Sequence, residues 1–245
     1  MYGILNQIQK ELSLAQEFML KIEDSLIVLS EENVAKVEAM IKTDSSYTRG
    51  SDINYTDSSA YLFNKLKTEI SISDNSKRLK DTSYKTIYDV VCAVDRENST
   101  HINADNVGRR EISDRISNLT IKDFISYLEN PQDLELFNII AAKTSYADGL
   151  NYRTNQSFAS KFCHYACFYM FTGKDTQDNY SIYDNVLKKV LPLYAKKYGI
   201  HCEKKELNKY SYYRMIVDKI IEKSGNKISR NGFDHLLWYY HKGRL

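Results

Sequence analysis

The chain has few of the residues that interrupt regular structure, with 2 prolines and 9 glycines among its 245 residues. A β-sandwich or barrel places turn residues, often Pro and Gly, roughly every 8–12 positions, so this scarcity predicts a mostly helical protein. No apolar run approaches the roughly 20 residues that a membrane-spanning helix needs. The N-terminus also lacks the basic flank and apolar stretch of a signal peptide. We therefore expect a cytoplasmic protein.

Cysteine is scarce too, and the 4 cysteines are too few for a disulfide framework in a protein of this size. Cys163 and Cys167 lie on one apolar segment, with His164 beside the first of them. A metal site would need two further ligands, for example His201 and Cys202. A small apolar cysteine in a core helix is the more common case, so no metal and no cofactor are expected.

The net charge of +2 conceals an uneven distribution. Residues 185–245 contain 14 Lys or Arg against 5 Asp or Glu, and the preceding part of the chain is acidic. A basic C-terminal quarter is typical of proteins that bind a polyanion such as nucleic acid. The alternative is a solvated, lysine-rich helical surface without a partner.

Apolar residues recur at three- and four-residue steps along most of the chain, which predicts an all-α fold. Residues 4–26 are predicted to form one helix, and Ser30 is predicted to cap a second. Residues 84–94 form either a buried helix or a strand, and the polar segment 95–110 is expected to be a loop or disordered and to join two regions. These regions are an N-terminal helical region, 1–95, and a second domain, 96–245.

Helices are also predicted in the remaining apolar segments, with a long polar loop over residues 43–56. Thr120 is expected to cap a helix, and Pro131 to lie in the first turn of the next. The predicted helical segments are 60–70, 120–128, 131–143, 157–172, 182–197, 210–223 and 233–241.

The segment 157–191 contains the residues with the clearest chemical potential. Lys161 opens an apolar helical run, and Asp184 lies at the start of the next helix. A lysine amine can attack a sugar carbon and form an imine, while a carboxylate manages protons and stabilises a cationic transition state. Each residue alone has an ordinary explanation, a solvated lysine for Lys161 and a helix cap for Asp184. Together they predict a catalytic pair.

Two stretches of sequence resemble the helix-hairpin-helix base-excision DNA glycosylases, in particular the 8-oxoguanine glycosylases. They are SKFCHYACFYMFTGK, which includes Lys161, and NYSIYDNVLKKVL, which includes Asp184. The resemblance covers roughly residues 120–245 and implies an enzyme on double-stranded DNA that excises a damaged or modified base. It implies Schiff-base chemistry and AP-lyase activity for Lys161, and the role of catalytic carboxylate for Asp184.

The chain departs from that family in two places. The Leu-Pro-Gly-Val-Gly hairpin that grips a DNA phosphate is absent, and several residues are inserted before Asp184. Phosphate binding is therefore predicted for side chains and amides at the start of the Lys161 helix, and for lysines that follow Asp184. The predicted DNA-binding residues are Arg153, Asn155, Gln156, Ser157, Lys188 and Lys189.

A glycosylase must also hold an extruded base in a pocket with aromatic and hydrogen-bonding groups. His164, Tyr183 and Trp238 are the predicted pocket residues. A satisfied core histidine and a packing tryptophan are the alternative interpretations of His164 and Trp238.

Two other functions remain open. Arg230, Asn231 and His235 fit the Arg-Asn-x-x-x-His pattern of the HEPN ribonucleases, although Gly232 suggests a helix start inside that motif. A catalytically inactive nucleic-acid-binding module is the other alternative. A role in phage defence is a hypothesis suggested by the divergence from the glycosylases and by the additional N-terminal helices.

Overall fold

The computed structural model describes residues 19–43, 55–98, 100, 102, 107–145 and 152–242, and within them the fold is all-α. Two short antiparallel hairpins, β1–β2 and β3–β4, accompany the helices. The strands are β1 (Ile22–Glu23), β2 (Leu26–Ile27), β3 (Thr144–Ser145) and β4 (Tyr152–Arg153). The helices are α1 (Glu31–Thr43), α2 (Ser59–Ser71), α3 (Tyr84–Asn98), α4 (Val107–Ser117), α5 (Ile121–Glu129), α6 (Glu135–Ala141), α7 (Gln156–Met170), α8 (Asn185–Lys197), α9 (Tyr210–Ser224) and α10 (Arg230–His241).

The helix predicted over residues 4–26 is wrong where the structure describes it, because residues 22–27 form the β1–β2 hairpin. Asp24 and Ser25 adopt positive φ angles of 50° and 63°, the conformation of a two-residue hairpin turn. Asn33 then fixes the hairpin, since its amide nitrogen donates to the carbonyls of Lys21 and Val28 at 2.9 and 2.8 Å. Residues 4–18 lie outside the described part of the chain.

The segment 95–110 is not a continuous loop. Helix α3 continues through Asn98, and α4 begins at Val107. Asp95 is buried, and Arg109 donates to its Oδ2 from Nε and Nη2 at 2.8 and 2.6 Å. This ion pair joins α3 to α4, and α3 crosses position 95 without a break. The division into two domains at that position stays a prediction.

Most other predicted helices are confirmed, with local differences at their ends. Ser30 and Thr120 accept hydrogen bonds from the third residue after them, as N-caps do. Pro131, however, is not in the first turn of α6. Leu134 has a φ of 55°, a left-handed conformation that cannot continue a helix, so α6 begins only at Glu135.

Helix α7 is the central element of the fold. It packs against α2, α3, α5 and α6, and ten of its fifteen residues are buried. Its apolar side chains belong to a hydrophobic core that extends from Leu26 to Tyr239. Any polar side chain on the buried faces of α7 is therefore removed from water, which raises the energy of its charged form.

Helix α10 packs against α1, α8 and α9. Gly232 allows its first turn to approach α1 closely, since a Cβ at this position would lie 2.9 Å from Val34 Cγ1. Helix α1 thereby packs directly against the first turn of α10.

Candidate active site

Lys161 lies in the second turn of α7 and is only 9% exposed. In the described part of the chain, no hydrogen bond and no ion pair within 4.0 Å satisfies its ammonium group. Burial lowers the pKa of Lys161, while the nearby carboxylates of Asp184 and Asp234 oppose that shift. The helix dipole contributes little, because its effect fades beyond the first turn. Desolvation is therefore the main reason why this amine is easier to deprotonate than an exposed lysine.

Asp184 is the N-cap of α8, as the sequence predicts. Its Oδ1 accepts a hydrogen bond from the backbone N–H of Val186 at 2.6 Å. The carboxylate is half-buried and interacts electrostatically with Lys161, without a direct ion pair. Asp184 can therefore serve as a helix cap and as a partner of the lysine. One carboxylate oxygen caps α8, and the side chain also interacts electrostatically with Lys161.

The extended segment 180–183 holds Asp184 in place. It is buried and has no regular structure, so its backbone groups need partners from elsewhere in the fold. Hydroxyl groups from α9 donate to two of its carbonyls: Tyr210 to Ser181 and Tyr213 to Ile182, both at 2.7 Å.

Helix α7 holds the same segment from the other side. The N–H of Tyr183 donates to Ser160 Oγ at 2.9 Å. Ser160 precedes Lys161 in the chain, and Tyr183 precedes Asp184. This bond therefore links the residue before the lysine to the residue before the aspartate.

His164 also holds this segment, and it does not line an opening. Its ring is 1% exposed, and Nδ1 donates to the carbonyl of Tyr180 at 2.8 Å. Oδ1 of Asn231 lies 3.1 Å from Nε2. Burial lowers the pKa of His164 and favours the neutral ring, while the hydrogen bonds to Tyr180 and Asn231 oppose that shift.

The other two predicted pocket residues, Tyr183 and Trp238, differ in how exposed their side chains are. Tyr183 is buried against Tyr213, with ring centroids 5.0 Å apart, and its hydroxyl accepts from Lys188 Nζ at 3.1 Å. Trp238 is half-buried and has Lys242 Nζ 5.5 Å from its ring. A base-stacking role for Trp238 and Tyr183 stays a prediction.

The residues predicted to contact phosphate near the start of α7 differ in their exposure to solvent. Asn155 is 2% exposed, and its amide nitrogen donates to Ala142 O and Thr144 Oγ1, so it stabilises the β3 end instead of facing solvent. Gln156 and Ser157 are half-buried in the first turn of α7. The side chain of Arg153 lies outside the described part of the structure.

The two predicted lysine contacts on α8 also differ. Lys188 donates to Tyr183 and to Asn208 Oδ1, the latter at 3.0 Å, whereas Lys189 is exposed. Of this pair, Lys189 is the one placed to reach a phosphate without first breaking internal contacts.

A cavity of about 290 Å³ lies beside the start of α7. It is bounded by α6, α7 and α9 and includes the side chains of Thr154 and Gln156. Phe137 and Tyr210, stacked with centroids 4.0 Å apart, form an aromatic wall. Lys161 is not among its lining residues.

Asp234, on α10, is a third ionisable group beside Lys161 that sequence reasoning missed. It interacts electrostatically with both Lys161 and Asp184, although it follows them by at least 50 positions. Nothing in the sequence distinguishes it from an ordinary helix aspartate. Its position near Lys161 becomes visible only in the folded structure, where His164 of α7 meets Asn231 of α10.

The residues of the ribonuclease-like motif make contacts within this chain. Arg230 Nε donates to Asp218 at 2.7 Å, and its Nη1 donates to the carbonyl of Asp178 at 2.8 Å. Asn231 contacts His164, and burial lowers the pKa of His235 to about 4. The motif starts α10, as Gly232 suggests, with Ser229 as its cap.

The described residues contain no group of three or more side chains suited to hold a metal ion. Cys163 and Cys167 are buried thiols whose pKa values burial raises. No helix among these residues combines the length and apolar character needed to cross a bilayer.

The chain matches no family model, no curated protein and no solved structure.

Proposed function

We propose that this protein is a DNA glycosylase with AP-lyase activity, in which Lys161 is the nucleophile and Asp184 the catalytic carboxylate. The observation that supports this most is a buried amine without an ion pair, beside a carboxylate that a well-anchored segment holds in place. An enzyme that uses a lysine nucleophile needs this combination, because the amine must be neutral in order to attack.

A lysine must lose its proton before it can attack, and the burial of Lys161 favours that loss. A lysine with an ordinary pKa near 10.4 is neutral in only about one molecule in 2,500 at pH 7. Each unit by which desolvation lowers the pKa raises that fraction about tenfold. The buried position of Lys161 thus increases the population of the reactive amine.

In the proposed reaction, the neutral amine of Lys161 attacks C1′ of the extruded nucleotide. A C–N bond forms, the bond from C1′ to the base breaks, and the base leaves with the electron pair. Asp184 stabilises the positive charge that develops on the sugar. Loss of a proton and opening of the ring give an imine, from which removal of a C2′ proton expels the 3′ phosphate.

The surface charge supports a polyanionic partner. The basic stretch after Asp184 includes several exposed lysines, which would contribute to non-specific DNA binding by neutralising phosphates. They include Lys189, Lys196, Lys204 and Lys205, whereas Lys209 is ion-paired with Glu206 at 2.6 Å.

The proposal is tested by borohydride trapping on a duplex with one abasic site. The wild-type protein is expected to form a covalent adduct, and Lys161→Met to form none. Methionine keeps much of the length of lysine and lacks the amine, so this variant should remain folded, which thermal unfolding checks. Lys122→Ala is the matched control, since Lys122 is an exposed lysine on α5.

Three outcomes would count against the proposal. An adduct that persists in Lys161→Met would exclude this lysine as the nucleophile. Absence of an adduct, together with RNA cleavage that His235→Ala abolishes, would favour the ribonuclease. Salt-sensitive DNA binding without any adduct would favour the inactive binding module.

A further inference from the structure

Asp234 is placed beside the proposed nucleophile by the contact between α7 and α10. His164 and Asn231 meet across these helices at 3.1 Å. Lys161 lies one turn before His164 on α7, and Asp234 lies one turn after Asn231 on α10. The electrostatic interaction between Lys161 and Asp234 agrees with that placement.

The buried environment of Asp234 raises the free energy of a charged carboxylate. The residue is 8% exposed, and its Oδ1 is buried without any hydrogen-bond partner. Among the described residues no cation lies within 4.0 Å of it, since Lys161 interacts only at longer range. A buried, unpartnered polar atom costs about 1–3 kcal/mol, so packing alone gives no reason for an aspartate here.

Burial and several ionisable neighbours together set the pKa of Asp234. These neighbours are Lys161 and Tyr165 from α7, Asp184 at the start of α8, and Tyr213 from α9. Burial raises the pKa of Asp234 to about 8, the negative charge of Asp184 adds to the rise, and Lys161 opposes it. At neutral pH the side chain is therefore mainly a carboxylic acid, which can donate a proton.

We propose that Asp234 is the general acid of this site and protonates the base as it leaves the sugar. This inference rests on the proposed glycosylase function and adds a group to it. As the bond between C1′ and the base breaks, the electron pair goes to the base, and the proton of the Asp234 carboxyl goes to a nitrogen or oxygen of that base. Asp234 ends the step as a carboxylate, and the base leaves as a neutral molecule.

This role specifies a class of substrate. An uncharged base leaves as an unstable anion unless it receives a proton, so it should depend on Asp234. A base with a permanent positive charge, such as N7-methylguanine, leaves as a neutral molecule without help. We therefore infer that the substrate is an uncharged modified base whose edge presents a hydrogen-bond acceptor.

The experiment compares two reactions of the full-length protein. Base release is measured in single-turnover assays on duplexes with one 8-oxoguanine, hypoxanthine, uracil or N7-methylguanine. Borohydride trapping is measured on a duplex with a pre-formed abasic site, where no base remains to be protonated. Asp234→Asn is the test variant, since asparagine has the shape of a protonated aspartate and no acidic proton.

Asp234→Asn is expected to slow the release of an uncharged base by about 10²- to 10⁴-fold, the usual contribution of a general acid. Trapping on the abasic duplex should remain near the wild-type rate, and any release of N7-methylguanine should be little affected. The wild-type rate of base release should also fall above about pH 8, and Asp234→Asn should lose that fall. A purely structural role would not move this pH profile.

Other results would overturn the inference. Equal losses of base release and trapping would show that Asp234 acts through Lys161 or the fold. Undiminished base release would show that no proton from Asp234 is needed, and trapping by a wild-type protein that releases no base would exclude the acid role while leaving the lyase intact. If the wild-type protein neither traps nor releases a base, the proposed function itself fails.

Discussion

Replacement of Asp234 by asparagine should stabilise the protein, by an amount that grows with pH. The folded protein holds the pKa of this carboxyl near 8, whereas its ordinary value is 3.8. Between these values the folded state binds a proton that the unfolded state has released. Stability of the wild-type protein therefore falls as pH rises through this window, by about 1.4 kcal/mol per pH unit.

Asparagine carries no charge to bury, so the variant should escape this loss. The free energy of unfolding of Asp234→Asn should exceed that of the wild-type protein by about 2 kcal/mol at pH 5 and about 4 kcal/mol at pH 7. Above pH 8 the folded wild-type protein also loses the proton, and the difference should level off.

Urea unfolding at four or five pH values between 5 and 9 measures this difference. Comparison of two proteins at each pH cancels the titration of groups that they share. Asp133→Asn provides the control, because Asp133 is an exposed aspartate whose replacement should change stability little. A difference for Asp234→Asn that does not vary with pH would refute the argument that burial keeps this carboxyl protonated.

Three further predictions concern the framework of the site. Ser160→Ala should cost about 1–3 kcal/mol, because it leaves a buried N–H without a partner, and it should slow trapping as well; unchanged trapping would mean that this bond does not position the pair. Gly232→Ala should cost about 1–3 kcal/mol through its clash with Val34, and adding Val34→Ala should restore part of that loss in urea unfolding. Arg109→Ala should cost about 3–5 kcal/mol at pH 7, since it leaves the buried Asp95 carboxylate unpaired, and a thermal unfolding shift close to zero would contradict this.

The sequence was informative about the helices because their signals are local. Ser30 and Thr120 lie directly before apolar helical periodicity, and both are caps in the structure. The hairpin at residues 22–27 was missed because its turn uses Asp24 and Ser25 with positive φ, without the glycine that usually marks such a turn. It also depends on Asn33, whose hydrogen bonds bridge sequence positions that no local pattern connects.

The candidate site likewise has features that the sequence predicts and features that only the folded structure shows. Lys161 and Asp184 could be selected from the sequence, because one lies on an apolar helical segment and the other at a helix start. Their protonation could not, since it depends on how much water the surrounding helices exclude. The inward direction of Asn155 and the hydrogen bonds of His164 likewise follow from neighbours contributed by other segments.

The sequence by itself determined the all-α fold and the two residue types needed for imine chemistry, since helical periodicity and capping act over a few positions. Only the tertiary structure decided that a carboxyl of α10, Asp234, lies beside an amine of α7, Lys161, and that burial shifts the pKa of both. Desolvation and electrostatic coupling depend on distances between elements, and packing of the whole core sets those distances.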